Sequence, residues 1–128
     1  MARYDKYEPL SGGFRAKLNA NWLLADLNKV CPVSLNASGK VVKGTAAQTG
    51  FVGVICLTKV LNADDVVDVM QDGEIVELTG LSAGTVYYGL ANGDGVTGTN
   101  ATGLRRVGWT VEATRLIVRA QTDITILP

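Results

Sequence analysis

The chain has 128 residues, no histidine, and twelve basic side chains against twelve acidic ones, for a formal net charge of zero. Without histidine it lacks the usual neutral-pH acid and base, the catalytic triads built on them, and the commonest nitrogen ligand for a metal. A balanced charge also leaves out the surplus of positive potential, interleaved with aromatics, that binds nucleic acid.

Hydrophobic residues make up 47% of the chain, and fifteen glycines are spread among Val, Ile and Thr. That is the composition of a single globular domain in which short strands are joined by turns. The charge is unevenly placed. Residues 1–43 hold seven basic and three acidic groups, residues 44–94 one and seven, and the remainder four and two. A basic arm can therefore lie on an acidic body, its own or a neighbour's.

In chain order, residues 1–19 read as an extended arm. Pro9, Ser11, Gly12 and Gly13 break regular structure, and Tyr4, Tyr7, Leu10 and Phe14 are sticky points without a period. The polar start, Met1-Ala2-Arg3-Tyr4-Asp5-Lys6, does not have the form of a signal peptide. Residues 21–30 fit a short helix capped by Asn21, with Leu23, Leu27 and Val30 on one face. Extended chain is the alternative, because Val30-Cys31-Pro32-Val33 has strand character. The domain boundary falls here: residues 1–39 are the arm with its possible helix, and residues 40–128 are a compact β domain.

Within that domain, residues 51–57 are apolar at every position except Gly53, as expected of a strand covered on both faces, or covered on one and facing another subunit. Residues 66–71 and 74–78 flank Asp72-Gly73, a dipeptide that predicts a hairpin with a type I′ turn. In residues 85–88, Val86 and Tyr88 share one face and Tyr87 takes the other, as a candidate surface contact. Residues 91–103 are too rich in glycine for a helix and read as a long hairpin loop or a thin strand pair. The last pair of strands alternates. Val107, Trp109 and Val111 form a predicted core row, while in residues 114–119 Leu116 and Val118 face inward and Arg115, Ile117 and Arg119 outward. The fold class is all-β, a small barrel or sandwich with an extended N-terminal arm and room for one short helix.

No constellation for chemistry emerges. Gly39-Lys40-Val41-Val42-Lys43-Gly44 lacks the ending and the following helix of a phosphate loop. Asp64, Asp65 and Asp68 read as a turn and a solvated strand face rather than a hydrolytic carboxylate pair. Asn92-Gly93-Asp94-Gly95 offers hard oxygen ligands but not the ordered spacing of a calcium loop. Cys31 and Cys56 read as small buried hydrophobes, with a disulfide left open. No catalytic residue, cofactor or metal is expected, and no apolar run has membrane-spanning length.

Several stretches, in order, resemble the small head-decoration proteins of tailed bacteriophages. They are Gly44-Thr45-Ala46-Ala47-Gln48-Thr49-Gly50-Phe51-Val52-Gly53-Val54, Asp64-Asp65-Val66-Val67-Asp68-Val69-Met70, Asp72-Gly73-Glu74-Ile75-Val76-Glu77 and Arg106-Val107-Gly108-Trp109, followed by Leu116-Ile117-Val118. The opening Met1-Ala2-Arg3-Tyr4 and the later Gly12-Gly13-Phe14-Arg15 are similar to the arm of that group. The resemblance implies a non-enzymatic protein, made in the bacterial host cytoplasm and added to the capsid exterior of the virion. It would bind the major capsid protein as a homo-oligomer, most commonly a trimer, with no direct contact to nucleic acid or membrane. Tyr4, Tyr7, Phe14, Arg15 and Trp22 would be the capsid or subunit contacts. A phage fibre or spike component and a carbohydrate-binding adhesion module are the alternatives, the latter resting on Tyr87.

Overall fold

The computed structural model describes residues 3–4 and 12–122. The fold is an all-β sandwich of two antiparallel sheets. Its strands in chain order are β1 (Arg3–Tyr4), β2 (Gly13–Lys17), β3 (Cys31–Leu35), β4 (Val41–Lys43), β5 (Gly53–Ile55), β6 (Val66–Met70), β7 (Asp72–Val76), β8 (Val86–Gly89), β9 (Val96–Thr97), β10 (Arg105–Thr110) and β11 (Leu116–Arg119). The six-stranded sheet has the order β1-β7-β11-β10-β8-β9 and the five-stranded sheet β2-β6-β5-β3-β4.

The five-stranded sheet is buried on both sides. On its inner face Val54 and Met70 meet Ile75, Tyr87, Val107, Leu116 and Val118 of the other sheet, with Phe51 between them. Its far face presents Cys31, Val33, Ile55, Val67 and Val69, which are roofed by Leu18, Trp22, Leu27, Leu57 and Leu61 from the loops. Val54 and Ile55, both 0% exposed, thus enter different cores, and the run at residues 51–57 is covered on both faces by its own chain.

Roofing the second core explains why residues 21–30 do not form a helix. Trp22 is drawn in, pairs its backbone with Leu61, and donates its indole N–H to the Asp26 carbonyl at 3.2 Å. Only a 3₁₀ turn remains, at Leu24–Asp26, and Leu23 and Leu24 face solvent. Asn21, the expected cap, instead accepts a hydrogen bond from the Ala63 N–H through its side chain. A ten-residue helix is marginal alone, and here a continuous core outweighs it.

The Asp72-Gly73 hairpin is also corrected. β6 and β7 lie in different sheets, and the chain passes between them at Gln71 with Asp72 and Gly73 already inside β7, opposite Arg119 and Val118. The N-terminal segment shadows this corner: β1 pairs with β7, β2 pairs with β6, and the Gly12 carbonyl accepts both the Gln71 and Asp72 N–H groups. Residues 13–17 and 31–35, which the sequence assigns to the arm, are therefore strands of the sandwich.

Lys43 fastens the loops to this frame. Its ammonium lies 2.6 Å from Asp26 of the 3₁₀ turn and 2.9 Å from Asp94 of the loop after β8. Gly93 packs so closely on Lys43 and Gly44 that a Cβ there would collide with backbone, and its φ of 85° suits glycine. Burial lowers the Lys43 pKa, but hydrogen bonds and attraction to Asp26 and Asp94 outweigh it, and the net shift is upward. Asp94, hydrogen-bonded to Lys43, is held below its ordinary 3.8.

Ile55→Ala is expected to cost about 2–5 kcal/mol in chemical denaturation, whereas Leu24→Ala, at a site 78% exposed, shifts it by roughly 0.5 kcal/mol or less. Lys43→Met is expected to cost about 1–3 kcal/mol by leaving the nearly buried Asp26 carboxylate without its cation. In the parent the Lys43–Asp94 link is complete above pH 3.8 and is lost as pH falls through the lower folded value. At the alkaline end its contribution is complete below 10.5 and is lost as pH rises through the raised Lys43 value. Thermal melts across pH should show Lys43→Met without these two dependences.

Candidate interaction surface

With both cores filled, what remains for function is the exterior, beginning with the outer face of the six-stranded sheet. β10 carries a bulge there. Arg106 pairs with Tyr88 and Gly108 with Tyr87, so Val107 is an extra residue. Val107 and Gly108 are both buried, and the alternation restarts one residue out of phase. Trp109 and Val111, expected in the core, therefore point to solvent at 40% and 49% exposure. Thr110 takes the inward place, where its hydroxyl accepts from the Thr85 N–H and donates to the Ser82 carbonyl. Val107, Leu116 and Val118 are fully buried. Gly108 is the signal for this phase change: a Cβ would overlap the Ile117 carbonyl, and glycine within a strand marks a bulge or close approach.

Cross-strand register makes a row of Val86, Trp109, Ile117 and Glu74 across β8, β10, β11 and β7. Arg115 holds Glu112 through two bonds of 2.8 and 3.0 Å and Glu74 through one of 3.0 Å, and Arg119 lies 3.0 Å from Asp72. These bonds raise the Arg115 pKa, and the Arg115 hydrogen bond lowers that of Glu112. The result is an apolar stripe bordered by paired charges.

Among the described side chains, the expected contacts Phe14, Arg15 and Trp22 differ in setting. Tyr7 lies outside the described residues, and Tyr4 is placed by its backbone opposite Ile75. Phe14 is half-buried on β2, and Arg15 is exposed, bound to Asp68 at 2.9 Å. Trp22, 3% exposed, is core rather than contact. Tyr87 is 7% exposed and its hydroxyl accepts from the Ser82 N–H at 2.7 Å, which removes it as a stacking platform.

The three carboxylates at residues 64–68 are engaged in the fold. Asp64 pairs with Lys40 at 2.7 Å, Asp65 accepts from the Asn62 N–H, and Asp68 holds Arg15. The glycine–lysine stretch at residues 39–44 is part of the β3–β4 hairpin, whose turn is closed by the Asn36 side chain accepting from Ser38 and Lys40. Cys31 and Cys56 form no disulfide and are buried in different cores, and burial pushes their thiols up to about 11 and about 12, so neither is a thiolate at neutral pH. Among the described residues no three His, Cys, Asp or Glu side chains gather to hold a metal, and no helix is long and apolar enough to cross a membrane.

No family model matches the chain, and no curated protein matches it significantly. Among solved structures, a chain of Mycobacterium phage Patience superposes with a TM-score of 0.84 at 21% identity, over 94% of this chain and 96% of that one. At that identity the likeness is one of fold, and it extends over nearly the whole of both chains.

Proposed function

We propose that the chain is a non-enzymatic structural protein of a tailed-phage particle, bound to the outside of the icosahedral capsid and reinforcing it through repeated protein–protein contacts. The observation that carries this reading is the near-complete fold shared with a phage chain, with neither chain extending far beyond the other. Both interiors of the sandwich are filled by hydrophobic side chains, which leaves function to the surface. The major capsid protein is the proposed partner and a homotrimer the proposed assembly. Symmetry then multiplies modest contacts, and a shell of repeated sites adds avidity. The N-terminal segment, with Tyr4, Tyr7, Phe14 and Arg15, is the proposed grip. The carbohydrate-binding alternative loses its principal support with the burial of Tyr87.

Because β2 belongs to the sandwich, the grip is tested by deleting residues 1–11, which takes from the sheets only the two-residue edge strand β1, and no further. Heads assembled without this protein are mixed with full-length or shortened chain, and occupancy is measured. The full chain is expected to saturate the heads, and the shortened chain, with unchanged circular dichroism, to bind about tenfold more weakly or worse. Equal occupancy would remove the anchoring role. Failure of the full chain to bind would remove the capsid role.

A further inference from the structure

The large exposed hydrophobic residues among those described gather mainly in two places. Leu23, Leu24 and Val60 lie at the loop layer, where the Trp22–Leu61 bridge brings the two segments together. Val86, Trp109 and Val111 lie on the outer face of the six-stranded sheet, with half-buried Ile117 in the same cross-strand row. In the second group Val86 and Trp109 sit on regular strands, where backbone pairing fixes the spacing of the side chains, and Val111 follows directly after β10. Trp109 is at its centre, with Val86 directly opposite on one side and Ile117 on the other.

We infer that this Trp109-centred sheet face is the contact by which one copy of the chain binds a second copy. The charge pattern selects that occupant. The face carries Arg106, Arg115 and Arg119 against Asp72, Glu74 and Glu112, equal numbers of each sign. Arg115 and Arg119 are already neutralised by carboxylates of the same face. Nucleic acid or an anionic membrane requires a positive surplus, and a strongly charged protein requires a surplus of the opposite sign. A neutral mosaic with an apolar centre repels neither itself nor its copy. An exposed tryptophan beside valine and isoleucine, rimmed by arginines, also has the composition of an interface centre rather than that of general surface. The bulge at Val107 bears on the same point. It turns a large aromatic out of the core and replaces it there with a threonine that needs three hydrogen-bond contacts to be buried.

This inference deepens the reading that copies associate, but its test uses the isolated full chain and is independent of capsid binding. Mass is measured by light scattering and sedimentation over a wide concentration range for the parent, Trp109→Glu, Val86→Lys and, as a control at the other apolar site, Leu24→Glu. The parent is expected to assemble. Trp109→Glu and Val86→Lys should each lower the association constant about tenfold or more with unchanged circular dichroism, and Leu24→Glu should leave it intact. Trp22 is buried, so a red shift in tryptophan emission on dilution of the parent reports Trp109 leaving the contact. If Trp109→Glu fails to fold, Val86→Lys carries the same test. A parent that stays monomeric throughout would overturn the inference. So would assembly unaffected by Val86→Lys, or abolished equally by Leu24→Glu.

Discussion

The two-sided burial of β5 is the constraint on which the structure rests. Val54 points into the core between the sheets and Ile55 into the core beneath the loops, so one short strand belongs to both. Burying a side chain of this size contributes roughly 1.5–3 kcal/mol relative to exposure. A sheet apolar on both faces needs two covers. The six-stranded sheet is one. The other has to be built from residues 18–30 and 57–61, which is why Trp22, Leu18 and Leu61 are spent on the interior and only a 3₁₀ turn forms between Trp22 and β3. The Lys43 ion pairs then hold that cover and the loop after β8 to the edge of the sheet.

Filling both cores from within one chain directs function outward. The surface is divided between the edge traced by the N-terminal segment along β6 and β7 and the outer face of the six-stranded sheet. The first is extended backbone with basic side chains at Arg15 and Lys17. The second is a rigid patch built on paired strands.

Much of this was legible in the chain itself. The run at residues 51–57, apolar except at Gly53, reads as a strand covered on both faces or covered on one and facing another subunit; the strand is Gly53–Ile55 and the chain itself covers both faces, while the alternation of Leu116 and Val118 with Ile117 matches β11. What misled were local signals overridden by non-local partners. Asp72-Gly73 has the chemistry of a tight turn, yet the chain passes between sheets there because β6 and β7 each find better neighbours, β2 and β5 for one and β1 and β11 for the other. Asn21 and the leucines after it have helical spacing, yet the second core, invisible to local pattern, takes Trp22 instead. Alternation alone turns Trp109 inward, and one extra residue reverses it. Gly108 was the available sign, and Thr110 its consequence.

The central claim is that residues on either side of the strand shared by the two cores form a single cooperative body. Native-state hydrogen exchange across a denaturant series tests it directly. The account predicts that amides of β5, β3 and β6 that pair within the sheet exchange only through global unfolding, with the same denaturant dependence as those of β10 and β11. Exchange of β3 and the loop layer through a separate, smaller opening, while β10 and β11 stay protected, would contradict it.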